Sequence, residues 1–386
     1  MSTTVHQHRP GRSELGRALM SAGALTSEWA PTFAAVDRAA FLPDVIWPYD
    51  LDTGAMLTLD RRENPRAWYA HVDTDIPIVT QWDDGHRQGP GPGTLATSSS
   101  SMPSVVYRML ADLDVQPGMT VFDGGTGSGE SAAALTHRLG PGAVTTAEVD
   151  AAVAWAARER LCATGLYAHC VQGDATSYVA DAVFDRVLIT FGLRHFGRLV
   201  RLTKTGGVIV APFGTHYTTA DAVIRLTVHG TRAEGHFVRS AEFMKARAQR
   251  APEIVHEDYV AAVSDGDKRT AAVREDAFTA DRFGPADWAV GLRVRDVIKV
   301  VADKRDGARP VWLYGTGDKS WACAFFRDDA PTLVWQHGPR RLWDEVEAAL
   351  AWWTGHGRPA HERFGLTVTP DGTRAWLDTP THSWPL

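Results

Sequence analysis

Cysteine is scarce in this chain, with only Cys162, Cys170 and Cys323 among 386 residues. Their spacing gives neither the paired pattern of a metal site nor a disulfide framework, so no metal is expected and the thiols read as reduced and cytoplasmic. Long apolar runs are also missing. No stretch approaches the ~20 residues of a membrane-spanning helix, and Met1 to Arg12 is polar, without the apolar core of a secretion signal. Concentrated positive charge is a third absence: the formal net charge is -6, and the short pairs Arg61-Arg62 and Arg340-Arg341 lie near acids. A nucleic-acid partner, bound through clustered Lys and Arg, is therefore not expected. What is present is a globular composition, 44% hydrophobic and 22% charged, in a chain longer than the usual single domain.

Glycine, by contrast, is concentrated at one place. Val121-Phe122-Asp123-Gly124-Gly125-Thr126-Gly127-Ser128-Gly129-Glu130 runs from an apolar strand (Thr120 to Phe122) through four glycines into Ser131-Ala132-Ala133-Ala134-Leu135, which reads as a helix. Glycine suits such a turn because the backbone can take positive φ and a ligand can approach without meeting a Cβ. The spacing discriminates among ligands. A dinucleotide turn of the form G-x-G-x-x-G needs glycine at position 130, where this chain has Glu130, whose carboxylate would repel a pyrophosphate. A P-loop needs a Gly-Lys-Ser/Thr that does not follow.

A methionine-derived cofactor carries no phosphate, so S-adenosylmethionine is the expected ligand of Asp123, Gly124, Gly125, Thr126, Gly127, Ser128 and Gly129. Asp123 would meet its ammonium directly or through water. Glu148, closing a second strand in Thr145-Thr146-Ala147-Glu148-Val149-Asp150, would take the ribose hydroxyls. Asp174, with Ala175 beside it in Gly173-Asp174-Ala175, would face the adenine amino group; an aspartate that merely shapes a turn is an equal reading of that tripeptide.

Strands are expected at Thr120 to Phe122, Val144 to Ala147, Ala168 to Gln172, Arg186 to Thr190 and Val208 to Pro212. A helix opens at Pro103, and others cover Ser131 to Leu139 and Ala151 to Thr164. This alternation implies a parallel α/β sheet with its ligand at the strands' C-terminal ends. Upstream, Ser13 to Ala24 has helical spacing, Thr26-Ser27 can cap a helix to Val36, and a turn-rich stretch to Gly93 reads as a substrate-facing lid. Downstream, a strand at Ala222 to His229 and a helix at Ala241 to Gln249 are followed by strands at Pro310 to Tyr314, Trp321 to Phe326 and Thr332 to Trp335. A helix at Leu342 to Trp353 and a hairpin turning at Pro370-Asp371-Gly372 complete the chain. Three regions are expected: 1–95, helical and irregular; 96–219, the Rossmann-like cofactor domain; and 220–386, a mixed α+β domain that could recognise a peptide. Most of the 14 tryptophans fall in the last third. Core packing explains them better than a stacking surface.

Thr97-Ser98-Ser99-Ser100-Ser101-Met102-Pro103 precedes the Pro103 helix. A single serine there would be a helix cap; four in a row make a substrate role equally reasonable. Together with Thr74-Asp75-Ile76-Pro77-Ile78, the glycine turn, Glu148, Gly173-Asp174, Phe184 to Thr190 and Lys204-Thr205-Gly206-Gly207, the set resembles the protein-L-isoaspartate O-methyltransferase family over roughly residues 70 to 215. The resemblance implies a class I methyltransferase sheet and a carboxylate-binding serine at Ser101, in Ser101-Met102-Pro103, with Ser99 at the family's preceding Thr or Ser position and Ser100 between them. Ser104 departs from the His or Tyr often found after the motif proline, and family repair enzymes are little more than half this length.

The serine run, the glycine-proline insertion and the C-terminal region resemble instead an actinobacterial branch that tailors ribosomally made peptides cyclised by ATP-grasp or lanthionine-forming enzymes. Phe243-Met244-Lys245-Ala246-Arg247-Ala248-Gln249-Arg250 resembles a stretch of that branch. The resemblance implies methyl esterification of an aspartate in a macrocyclised peptide, the ester then collapsing to an aspartimide. Isoaspartyl repair and a non-catalytic scaffold that binds the cofactor are the alternatives.

Overall fold

The stretch before Gly93, expected as a lid, folds as a small antiparallel sheet. The computed structural model describes residues 9–50, 53–87, 89–179, 183–279 and 283–386, so Met1 to His8 of the polar leader lie outside the described residues. Strands β1 (Val45–Pro48), β2 (Leu59–Asp60), β3 (Ile78–Trp82) and β4 (Ala96–Ser100) pair in the order β2-β1-β3-β4. Their apolar residues are few but buried: Ile46 and Ile78 pack with Ala39, Leu42, Trp68 and Val72 into one cluster. The helices around them carry a proline in the first turn, α1 (Pro10–Ser21), α2 (Ala30–Ala35, with Pro31) and α3 (Pro65–Val72), where a missing N–H costs nothing. Accordingly α1 begins earlier than Ser13, and α2 begins after Thr26-Ser27 rather than being capped by them.

The parallel sheet is present as expected. Strands β5 (Val121–Gly124), β6 (Val144–Glu148), β7 (His169–Gln172), β8 (Phe184–Ile189) and β9 (Thr203–Gly214) run in the order β7-β6-β5-β8-β9, all pairs parallel. Helix α4 (Pro103–Leu113) leads into β5, α5 (Glu130–Leu139) joins β5 to β6, and α6 (Ala151–Thr164) joins β6 to β7. Val121, Phe122, Val187 and Ile189 are completely buried. The chain leaves β5 toward β6 on one side and later returns to β8 on the other, so the strand order reverses at the C-terminal end of β5. That is the crevice where open α/β sheets bind ligands.

Packing divides the chain into two units, residues 1–190 with 201–210, and residues 191–200 with 211–386. Residues 1–95, expected as a separate region, thus group with the glycine strand. In the second unit β10 (Asp221–His229) and β11 (Arg232–Ala241) form a hairpin. A separate antiparallel sheet carries Val311, Leu313, Ala322, Ala324, Phe326 and Val334 against Leu342, Trp343 and Val346 of the helix Leu342–Gly355. Trp288, Trp321, Trp343 and Trp376 are less than 2% exposed, so most of their area serves the core.

The helix expected from Ala241 to Gln249 does not form. β11 runs to Ala241, and only Arg247–Gln249 make a single 3-10 turn. Tertiary bonds override helical propensity here: the fully buried Asp221 accepts from the Phe243 amide at 3.1 Å and pairs with Lys245, while Gly192 exchanges backbone bonds with Met244 and Ala246. Among the described residues no helix is long and apolar enough to cross a membrane.

Candidate active site

Gly125, Gly127 and Gly129 take φ of 89°, 52° and 96°, values that L side chains rarely adopt, so the turn after β5 requires glycine there. Gly124 is glycine for packing: a Cβ would stand 2.5 Å from Ile189 Cδ1 and 3.0 Å from Ala175 Cβ. Glu148, 9% exposed at the end of β6, accepts from the Gly127 amide at 3.0 Å through Oε2 and from the Asp150 amide at 3.1 Å through Oε1. The space where Gly173 would carry a Cβ is open, and its amide donates to the Glu148 carbonyl at 2.8 Å. Asp174 Oδ1 takes the Thr176 amide and hydroxyl at 2.8 and 2.7 Å, the geometry of a turn-shaping aspartate. Ala175 is buried, and Ser128 is 5% exposed.

Asp123 does not stand open to a ligand. It is completely buried, accepting from the Thr146 hydroxyl at 2.9 Å and from the Ser131 hydroxyl at 3.3 Å. Burial pushes its pKa up to about 7; the Thr146 and Ser131 bonds pull it down, and the Glu148 charge adds a further rise. The carboxylate offers no open face in this structure for direct contact with an ammonium, one of the two expected modes.

The serines alternate, because they lie on a strand and not at a helix cap. Ser98 and Ser100 are 7% and 2% exposed. Ser98 accepts from Thr80 at 3.2 Å, while Ser100 donates to Glu130 Oε2 at 2.9 Å and accepts from Arg38 Nε at 2.8 Å. Ser99 and, one residue past the strand, Ser101 are partly exposed, and their hydroxyls make no hydrogen bond among the described residues. Ser100, expected alongside them as catalytic, is thus a buried structural group. Ser99 lies at the glycine turn: its carbonyl oxygen is 3.5 Å from where a Gly127 Cβ would be. The helix α4 is capped instead by Asp75, whose Oδ1 accepts from the Ser104 amide at 2.8 Å.

Arg38 holds this arrangement. Fully buried, it donates to the carbonyls of Ile76, Ser100 and Ser101, each at 3.0 Å, and lies 3.7 Å from Glu130. Glu130 is therefore engaged in an ion pair, and its repulsion of a pyrophosphate is weaker than its position in the sequence implies. In the sequence Arg38 is marked only as a lone cation ahead of the apolar Ala39-Ala40-Phe41-Leu42, a signal of a buried polar anchor. Neither it nor Thr190, which donates to the carbonyls of Gly124 and Gly125 at 3.2 and 2.9 Å, is among the expected site residues.

A glycine turn at the switch point, an acid closing the next strand and the strand order β7-β6-β5-β8-β9 define a class I methyltransferase fold. Residues 52–238 match the family model Protein-L-isoaspartate(D-aspartate) O-methyltransferase. The chain is 34% identical to the protein-L-isoaspartate O-methyltransferase of Methanopyrus kandleri over 174 residues, 42% of this chain and 70% of that protein. It is 30% identical to that of Thermococcus onnurineus over 175 residues, 44% and 71%. The match to the Pyrococcus horikoshii enzyme, 28% identical, covers 39% of this chain and 61% of its relative, less than two thirds of that protein's length. A solved structure of a protein-L-isoaspartate O-methyltransferase aligns with a TM-score of 0.53 at 18% identity, covering 95% of this chain and all of the other, a likeness of fold. The chain belongs to the protein-L-isoaspartate O-methyltransferase family.

Proposed function

We propose that this chain is an S-adenosylmethionine-dependent carboxyl O-methyltransferase that esterifies an aspartate side chain in a cyclised ribosomal peptide. The observation that carries this is the alternation of the serine strand: Ser99, whose carbonyl lies at the glycine turn, and Ser101 carry hydroxyls that make no hydrogen bond among the described residues, while Ser98 and Ser100 are locked inward. The residues fit a methionine-derived cofactor, since glycines 125, 127 and 129 leave the turn bare, open space lies beside Gly173, and Glu148 offers its carboxylate at the rim. Bound there, the cofactor supplies a methyl group on an electrophilic sulfonium.

The protein's own task is placement. A substrate carboxylate is ionised at neutral pH, since an ordinary aspartate titrates near ~4, so no general base is needed. Ser101 donates to one carboxylate oxygen and leaves the other to accept the methyl group in line; Ser99 steadies the same group. Such alignment is the main source of rate here. The backbone nitrogen of the following residue then attacks the ester carbonyl, methanol leaves, and the aspartimide forms without further help from the enzyme.

Isoaspartyl repair is a second reading, favoured by the names of the relatives. Mass spectrometry separates them: a cyclised aspartyl peptide should gain one methyl and then lose methanol, while a linear isoaspartyl peptide stays unmodified. Methylation of the isoaspartyl peptide alone would establish repair, and methylation of neither would leave a binding scaffold.

Two substitutions divide the site. Glu148→Ala should weaken cofactor binding by about 10- to 100-fold, the worth of hydrogen bonds to a charged group; an unchanged calorimetric affinity overturns the ribose assignment. Ser101→Ala should lower turnover by about 10- to 100-fold while cofactor affinity stays within about twofold, on the same scale. Wild-type turnover would remove Ser101 from the mechanism.

A further inference from the structure

A cavity of about 460 Å³ opens within the second unit, lined from four segments of chain near residues 195, 215, 295 and 370. Its size falls in the ~300–1,000 Å³ range of ligand sites. The base is apolar, with Phe196 and Phe213 buried and stacked at 6.1 Å. Two guanidinium groups, Arg194 and Arg295, line it, and Asp296 is the one acidic side chain among the lining residues. Leu386, tied through its amide to the Thr373 carbonyl, borders it as well.

The two arginines differ in how they are held. Arg194 donates from Nη1 to the His216 ring at 2.7 Å and reaches Asp296 at a loose 3.4 Å. Burial and the Arg194 charge both lower the His216 pKa, which keeps the ring neutral and able to accept that bond. Arg194 is therefore held in place by a neutral partner and only partly neutralised. Arg295 is exposed, and its side chain makes no hydrogen bond or ion pair among the described residues. In a chain of net charge -6, an apolar cavity with one positioned guanidinium and one free one favours a planar oxyanion, which two guanidinium forks can grip.

We propose that this cavity binds a side-chain carboxylate of an acidic peptide, a contact separate from the carboxylate that is methylated. This rests on the peptide-methylating reading and gives its substrate a second acidic residue.

The test is calorimetric titration of the full chain with acetyl-Asp-Gly-Asp-Gly-Asp-Gly-amide, with its all-Asn counterpart and with inorganic phosphate. The acidic peptide should bind about tenfold or more tightly than the Asn peptide, the scale of one charge-assisted contact. Arg295→Ala should abolish that preference and Arg295→Lys should restore part of it. Ser101→Ala should leave it intact. Equal affinity for the two peptides, or a preference that survives Arg295→Ala, overturns the proposal. So does a preference lost in Ser101→Ala, which assigns it to the transfer site, and so does phosphate binding as tightly as the peptide, which makes free phosphate the ligand. Because the titration needs no turnover, a failure of methyl transfer is read separately from a failure of this site.

Discussion

Arg38→Ala is expected to lower stability by about 3–5 kcal/mol and to abolish methyl transfer, the size of loss typical when one member of a buried charged network is removed. Arg38 is buried and donates to the Ser100 hydroxyl and to five backbone carbonyls, those of Val72, Thr74, Ile76, Ser100 and Ser101. Without it, the carbonyls of Ile76, Ser100 and Ser101 and the Glu130 carboxylate lose their common donor in a place where water cannot replace it. The loss falls on function too, because the same bonds fix the backbone on which Ser99 and Ser101 stand. Urea denaturation measures the first effect and single-turnover methylation the second. Arg38→Lys keeps a charge but not the planar fork, so it should recover less than half the stability. Arg38→Met with Glu130→Gln removes both charges and should be less destabilised than Arg38→Ala, since no unpaired ion remains. A change below about 1 kcal/mol in Arg38→Ala would mean that the network is incidental.

The parts of this molecule legible in its sequence are those whose signals are local. The glycine turn, strands β5 to β9 and the hairpin at Pro370 to Gly372 each carry their own punctuation, and the structure places them within a few residues of expectation. Pairing of Phe364–Thr369 with Gly372–Leu377 is one example. The strands between residues 44 and 93 are not legible, because β1 and β2 span only four and two residues, too short for a periodicity, between prolines that also mark loops. The serines were legible as a cluster but not as individuals. A helix cap and a strand both accept serine, and only the strand's two-residue period separates Ser99 and Ser101 from Ser98 and Ser100. Arg38 was hidden for a different reason: its partner Ser100 is 62 residues away in the chain. The segment after Ala241 is hidden in the same way, since Asp221 and Gly192 hold it in place of its own helical bonds.

Asp123→Asn is expected to be more stable than the native chain at pH 7.5, by up to about 4 kcal/mol, and close to it at pH 4.5, from roughly three pKa units at about 1.4 kcal/mol each. The sign follows from which state holds the proton. Burial raises the folded value from the ordinary 3.8 to about 7, so between those pH values the folded chain keeps a proton that the unfolded chain has released. Stability is therefore lost as pH rises through that window and is flat above it. Asparagine keeps an acceptor oxygen for Ser131 and Thr146 but has no charge to bury. Subtracting urea midpoints of the two proteins across pH 4.5 to 8 isolates this group from every other titration, and a pH-independent difference would overturn the prediction. The same carboxyl gives the glycine turn a reason to prefer a cationic ligand. A sulfonium or ammonium bound near β5 favours the ionised form, so cofactor binding at pH 7 should release part of a proton in the native protein and none in Asp123→Asn. Calorimetry in two buffers of different ionisation enthalpy counts those protons directly, and equal release from both proteins would show that Asp123 takes no part in holding the cofactor's charge.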